Sequence, residues 1–185
     1  GELAEVRGVV ERVVLEAVTG GRSSPEVKRA LLANLAPLAT FFGRRGLNDS
    51  LLPLIITCLN APDWQLRSAF FRGVADIGPA AGAESLGVFL LPCLEQALTD
   101  EQACVVCDAL ACVSAVAPAL RKRSLLSAAD KVAPLLARHS PAVRAAAIRF
   151  LARAAGLLPP ADTYAQLLGS LRALGLLVRQ PLDPS

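Results

Sequence analysis

The sequence predicts an all-α fold built from repeated helix pairs. Alanine and leucine dominate a chain that is 54% apolar but only 4% aromatic, and this composition favours close-packed helices over β-sheet. Apolar residues recur at helical spacing, and short breaks rich in glycine or proline separate the helical stretches. The pattern returns after 39, 39 and 38 residues, so a single structural unit is repeated along the chain.

The repeat is clearest in the second helix of each pair. Four residue pairs align there: Val27-Lys28, Leu66-Arg67, Val105-Val106 and Val143-Arg144. A proline or an aspartate precedes each pair, and both residue types are common where helices begin. A period near 40 residues is typical of HEAT and armadillo repeats. The sequence therefore predicts a HEAT-type α-solenoid of about four and a half helix pairs.

The elements follow from these breaks. The predicted helices span residues 2–19, 25–42, 48–60, 63–78, 84–98, 101–117, 122–137, 141–156 and 161–178. They form units at about 2–43, 47–82, 84–119, 121–158 and 160–180. The connections are too short for a domain boundary, so we expect a single array over residues 1–185. Because methionine is absent, initiator included, we also expect this array to be a fragment of a longer protein.

Two features are predicted to shape each unit. The first helices share an interior proline, at Pro53, Pro92 and Pro134, which removes a backbone hydrogen bond and should bend successive units at the same place. The second helices carry a broad apolar stripe that one unit cannot bury alone. In the second unit this stripe consists of Leu66, Ala69, Phe70, Gly73, Val74 and Ile77.

Charge and cysteine content limit the possible functions. A net charge of +3 is too small to indicate nucleic acid or an anionic membrane as an obligatory partner. The five cysteines lie within apolar helical pattern, which favours a reducing, intracellular environment over a disulfide framework. Residues 103–120 come closest to a membrane span, but Asp108 lies among them, so we expect a buried helix instead.

One segment resembles a known family. Residues 41–71, FFGRRGLNDSLLPLIITCLNAPDWQLRSAFF, resemble the HEAT-repeat region of the regulatory subunit of class III phosphatidylinositol 3-kinase. The residues that carry the resemblance are Phe41-Phe42-Gly43, Asn48-Asp49, Ile56-Thr57, Leu59-Asn60, Asp63-Trp64, Leu66-Arg67 and Ala69-Phe70-Phe71. Other segments of the chain resemble that family's neighbouring repeats. ELAEVRGVVERVVLEAV is similar to its preceding helix, and its following repeats are similar, in the same order, to FLLPCLEQALTDEQACVV, KVAPLLARHSPAVRAAAIRFLAR and ADTYAQLL.

The resemblance implies a non-catalytic scaffold segment. In that family the subunit holds the lipid kinase that makes phosphatidylinositol 3-phosphate, together with a Beclin-type partner, for autophagy and endosomal sorting. The resemblance therefore also implies a cytoplasmic location at the periphery of endosomal and autophagosomal membranes, with only indirect membrane contact and no small-molecule substrate. The family's kinase-like and WD-repeat domains have no counterpart in these residues, so we expect no enzymatic activity here.

The sequence contains no convincing catalytic, cofactor or metal site. The single histidine, His139, lies in a predicted turn with no cysteine or carboxylate at a useful spacing, which indicates a solvated side chain. Cys104 and Cys107 have the spacing of half a metal or redox motif, but no second pair follows. Since Cys112 continues their pattern, we interpret all three as small core residues.

The remaining candidates concern partner contacts, and no partner-binding residue is assigned. An alternative function is a protein- or nucleic-acid-binding HEAT module of another system that uses a ridge of Arg144, Arg149 and Arg153. A solvated face is the more common fate of such arginines, as of the basic run at residues 121–123. Arg67 is expected to make an inter-repeat contact, because its aligned position is basic in three of four units. Trp64 is predicted to pack near Phe70 and Phe71, with the anchoring of a partner as the alternative.

Overall fold

A computed structural model describes residues 1–20, 23–137, 140–173 and 175. The chain is helical almost throughout these ranges and contains no β-strand there, which confirms the all-α prediction. The helices are α1 (Glu2–Thr19), α2 (Pro25–Ala33), α3 (Leu35–Gly46), α4 (Leu52–Ile55), α5 (Trp64–Ala81), α6 (Ala83–Leu98), α7 (Ala103–Val116), α8 (Lys122–Val132), α9 (Pro141–Leu157), α10 (Pro160–Asp162) and α11 (Leu168–Ala173).

The helices stack in two layers. In one layer α2, α5, α7 and α9 contact one another in succession, and in the other layer α6 packs against α8. Each unit therefore contributes one helix to each layer, as in an α-solenoid. The buried apolar residues form one connected cluster that extends from Val14 to Leu167. This architecture confirms the predicted HEAT-type solenoid.

Three of the second helices begin beside their predicted proline start signals, and a serine or aspartate side chain caps each of them. The Ser24 side chain accepts a hydrogen bond from the Val27 amide of α2, and the Ser140 side chain accepts one from the Val143 amide of α9. Asp63 caps α5 by accepting from the Gln65 amide at 2.9 Å. Such caps satisfy amides that have no partner within the helix, which is why the helices begin at these positions.

The aligned and aromatic positions of the repeat lie in the core. Val105 and Val143 are only 1% and 2% exposed. Phe70 and Phe71 are completely buried, with ring centroids 5.1 Å apart and planes nearly perpendicular. The predicted stripe on α5 is confirmed, since all its members are buried except the half-buried Ala69.

The three interior prolines are accommodated in different ways. Pro53 is the second residue of the short α4, which follows a π-helical turn at Leu47–Leu51. Pro92 lies inside the continuous α6, and Pro134 lies in a 3₁₀ turn at Ala133–Ala137. Each backbone adjusts locally to the missing amide. The prolines therefore recur at one place in the unit without producing one repeated backbone geometry, contrary to the prediction of a common bend.

The predicted helix at 25–42 is interrupted. It breaks at Asn34, whose side chain donates to the Ala30 carbonyl, so α2 and α3 replace one helix. The break expected between the predicted helices 25–42 and 48–60 is confined to Gly43, where φ is +68°, a conformation that glycine adopts without the steric cost of a Cβ atom. The last predicted helix is seen as Pro160–Ala173 with a π-helical turn at Thr163–Leu167, and its predicted residues 174 and 176–178 lie outside the described residues.

Trp64 does not pack as the sequence predicted. It is the first residue of α5 and is 39% exposed, outside the apolar cluster that contains Phe70 and Phe71. Trp64 lies on the same side of α5 as Ser68 and Phe71, which are buried one and two turns further along, so its exposure follows from its place at the first residue of the helix and not from its angular position. The ring therefore lies on the surface of the array.

Candidate functional site

The potentially reactive groups do not assemble into a site within the described part of the chain. No cluster of three or more metal-ligating side chains occurs there. His139 and the neighbouring Arg138 lie outside the described residues, so the solvated-turn prediction stays a prediction. No described helix is long and apolar enough to cross a membrane.

The cysteines divide into two groups. Cys58, Cys93 and Cys112 are buried thiols, and burial raises the pKa of Cys93 to about 12. Cys104 is exposed and Cys107 half-buried, so the interpretation of both as core residues was wrong for Cys104 and right only in part for Cys107. The buried face of α7 is formed by Val105, Val106, Ala109, Leu110, Cys112, Val113 and Val116. Both thiols lie off that face.

Arg67 makes the predicted inter-repeat contact. Its Nε and Nη2 atoms donate to the two carboxylate oxygens of Asp100 at 2.7 and 2.9 Å, across 33 residues. Asp100 also accepts from the Gln102 amide, at the start of the next second helix. The two side chains are only 17% and 10% exposed, and hydrogen bonding to Arg67 lowers the pKa of the Asp100 carboxyl below its ordinary value. A bidentate pair of this kind fixes geometry as well as adding energy.

A similar arginine–aspartate contact joins the first and second units. Arg29 donates to Asp63 at 2.7 Å and to Gln65 at 2.8 Å, while Asp63 also caps α5. The sequence alignment missed this contact, because it placed Lys28 and not Arg29 beside Arg67. An aspartate at the start of α5 and of α7, 34 and 33 residues after an arginine, is the signal that would have found it.

The third and fourth units meet differently. Val106 occupies the position aligned with Arg67 and is 1% exposed, while Ser140 caps α9 in place of an aspartate. The surface there opens into a groove of about 350 Å³ lined partly by Val106 and Ser140. The aspartate–arginine pairing therefore ends at this junction.

The other layer also carries ion pairs between units. Arg121 contacts Glu84 at 3.1 Å, Lys122 contacts Asp162 at 2.6 Å, and Lys131 pairs with Glu95. Two members of the basic run at residues 121–123 thus have carboxylate partners within the array. That run is therefore a poor candidate for a phosphate site.

The three arginines of α9 do not form a single ridge. Arg149 and Arg153 line a groove of about 510 Å³ between α7 and α9, together with small and apolar residues. Arg144 does not line that groove. It is exposed but lies roughly 140° around the helix from Arg149. Only the Arg149–Arg153 part of the predicted ridge is therefore a common surface.

Comparison with known proteins decides the family. A model of the family described as PIK3R4-like, middle domain, matches residues 1–175. The chain belongs to this family. The match confirms the resemblance to the HEAT region of the class III lipid-kinase regulatory subunit, and it is to the family's middle domain and not to a kinase domain.

Two relatives of this PIK3R4-like middle domain are far longer than the chain itself. It is 39% identical over 140 residues to a probable serine/threonine-protein kinase vps15 of Dictyostelium discoideum, covering 75% of this chain and 7% of that protein. It is 38% identical over 174 residues to the serine/threonine-protein kinase VPS15 of Arabidopsis thaliana, covering 93% of this chain and 12% of that protein. The chain thus spans only a small fraction of these relatives.

Solved structures support the fold. One engineered protein superposes on this PIK3R4-like chain with a TM-score of 0.62 at 18% identity. The superposition covers 87% of this chain and 67% of the engineered chain. A second engineered protein gives a TM-score of 0.61 at 18% identity, covering 94% of this chain and 44% of its own. At such low identity the likeness concerns architecture alone.

Proposed function

We propose that this chain is a non-catalytic scaffold segment of the class III phosphatidylinositol 3-kinase complex. Its partners are the lipid-kinase catalytic subunit and the Beclin-type subunit, and the complex acts in autophagy and endosomal sorting. The observation that carries this proposal is the match of the PIK3R4-like middle domain to residues 1–175. The proposed location is cytoplasmic, at the periphery of endosomal and autophagosomal membranes.

The structure offers a physical means for such a role. Residues 1–185 are proposed to act as one continuous array, whose units are joined by a shared apolar core and by side-chain pairs such as Arg67–Asp100. Bidentate pairs restrict rotation between neighbouring units, because both donors and both acceptors have fixed directions. An array of this kind holds a fixed distance and angle between proteins bound along it, and it needs no cofactor or small-molecule substrate.

The proposal is tested by reconstitution. The purified, tagged chain is mixed with the purified class III lipid kinase and the Beclin-type subunit after nuclease treatment, and complexes are separated by size. We expect the chain to co-elute with one or both partners. A fold-matched engineered repeat protein serves as the control and should elute alone. If the helical, folded chain elutes apart from both partners, the proposal is wrong.

A second candidate is a HEAT module that binds nucleic acid through Arg149 and Arg153. The observation in its favour is the position of both arginines in one groove. Phosphate contacts weaken steeply with salt, because binding releases counterions from the nucleic acid. A linear fall of the logarithm of the association constant with the logarithm of salt concentration, with similar affinity for unrelated sequences, would support this candidate over the scaffold.

A further inference from the structure

The groove between α7 and α9 combines a small, largely apolar floor with two arginines. Its volume is about 510 Å³, and α9 contributes Arg149 and Arg153 to its lining. The remaining lining residues are short or apolar side chains: Leu110, Ala111, Ser114, Ala115 and Ala146. Short side chains allow another backbone to approach closely, as where a helix lies in a groove.

The two arginines are not neutralised by the surrounding helices. The segment of α9, Pro141–Leu157, contains no acidic residue, and neither arginine has an ion-pair partner among the described residues. The single acidic residue of α7, Asp108, is engaged by α5, where Ser68 donates a hydrogen bond to it and Arg72 lies 3.8 Å away. This contrasts with Arg67, whose guanidinium is occupied by Asp100.

We propose that the α7–α9 groove docks an acidic amphipathic helix of a partner protein. Arg149 and Arg153 are one helical turn apart, and their side chains are therefore neighbours on one face. Carboxylates one turn apart on the docked helix match that spacing, while its apolar side chains cover the alanine-rich floor. The inference deepens the proposed scaffold function and rests on it, since it assigns one partner-binding surface of the array.

The same features disfavour other anions. Proteins that bind duplex nucleic acid commonly contact about 6 to 10 phosphates, and anionic membranes attract clusters of about 4 to 8 basic residues. The groove supplies two guanidinium groups. The exposed alanines of its floor, Ala111 and Ala115, gain nothing from contact with a phosphate backbone, whereas they are suited to aliphatic side chains.

The test uses the full chain and a designed probe. The probe is a fluorescent amphipathic peptide of about five helical turns, with leucines on one face and glutamates one turn apart beside them. Binding is measured by fluorescence anisotropy at moderate salt. We expect the double variant Arg149→Glu/Arg153→Glu to weaken binding by about tenfold or more, through loss of both charge pairs. A peptide with lysines in place of the glutamates should bind this variant and not the original chain.

A charge-matched control separates the groove from net charge. The variant Arg12→Glu/Arg123→Glu makes the same change at two exposed arginines outside the groove and should leave peptide affinity unchanged. Circular dichroism should show all three chains equally helical, because all four arginines are exposed. The proposal is overturned if the original chain does not bind the acidic peptide, if both variants lose affinity equally, or if an oligonucleotide or anionic vesicles bind more tightly than the peptide.

Failure of this inference can be told apart from failure of the scaffold proposal. If the kinase and Beclin-type subunits bind the chain and the Arg149→Glu/Arg153→Glu variant equally well, and the peptide does not bind, the groove assignment fails while the scaffold stands. If the peptide binds as expected but neither subunit co-elutes with the chain, the groove stands and the complex is wrongly assigned.

Discussion

Two junctions of the array occupy equivalent places but are held by different chemistry. Between the second and third units Arg67 forms an ion pair with Asp100. Between the third and fourth units the residue aligned with Arg67 is the buried Val106. Both junctions share the continuous apolar layer formed by α5, α7 and α9. The comparison indicates that apolar packing supplies stacking energy at every step, while the ion pair adds a geometric restraint only where it occurs.

Deleting a core aromatic should produce the largest effect, and a similar one at either junction. Phe70 and Phe150 are both fully buried, so Phe70→Ala and Phe150→Ala should each cost about 3–5 kcal/mol of unfolding free energy. Urea denaturation followed by circular dichroism measures both. A loss at Phe150 far below that at Phe70 would show that the fourth unit does not share the common core.

Removing the ion pair should separate the two junctions. Asp100→Ala leaves the largely buried Arg67 guanidinium without its carboxylate and also removes the hydrogen bond to the Gln102 amide, so we expect a loss of about 2–3 kcal/mol. The matched change Ser140→Ala removes only a helix cap and should cost about 1 kcal/mol. The same urea titrations compare the two variants. Equal losses would mean that the pair adds nothing beyond capping.

A change in the close packing between the second and third units, where α5 meets α7, should also have a measurable cost. A Cβ atom added at Gly78 on α5 would lie 2.4 Å from a methyl carbon of Val116 on α7, so Gly78→Ala should destabilise the chain by about 1–2 kcal/mol. Nothing lies within 4 Å of a Cβ atom added at Gly8 of α1, so Gly8→Ala should stabilise by up to about 1 kcal/mol. Thermal melts of both variants provide the check. Destabilisation by both substitutions would contradict the packing explanation.

These contacts also show how far the sequence was sufficient. The period of 39, 39 and 38 residues, together with the proline or aspartate before each second helix, predicted the stacked helix pairs, and the basic aligned position predicted the inter-repeat contact of Arg67. These signals are local or recur with the unit, so they can be recognised without coordinates. The Arg29–Asp63 pair was missed, because one residue of register separates Arg29 from the aligned position.

The candidate surfaces could be predicted less well. Arg144, Arg149 and Arg153 looked like one ridge along the sequence, but angular position on α9 removes Arg144 from the groove that the other two line. The floor contributed by Ala111 and Ala115 belongs to α7 of the preceding unit, and no pattern within α9 reveals it. Surfaces made by two units depend on the packing angle between helices, which the composition of either helix does not specify.

Acid should selectively weaken the junction between the second and third units. Because Arg67 lowers the pKa of Asp100 in the folded chain, the carboxylate stabilises the fold above its unfolded pKa of about 3.9, and this stabilisation is lost as pH falls through the folded pKa. In Asp100→Asn the group cannot titrate, so unfolding free energy should fall less steeply below about pH 5 than in the original chain. Urea titrations at several pH values measure the slopes. Parallel slopes would remove Asp100 from the acid response.

The smallest effect is expected at an ion pair that joins no units. Arg45 and Asp49 are one turn apart at 3.4 Å, but their side chains are 95% and 65% exposed. Water screens such a pair and the two flexible side chains lose entropy when they meet, so Arg45→Ala should change the unfolding free energy by less than about 0.5 kcal/mol. The variant is compared with Asp100→Ala in the same urea titration. The comparison tests whether burial between units, and not ion pairing itself, adds stability to the junction between the second and third units. A loss at Arg45 as large as that at Asp100 would contradict that distinction.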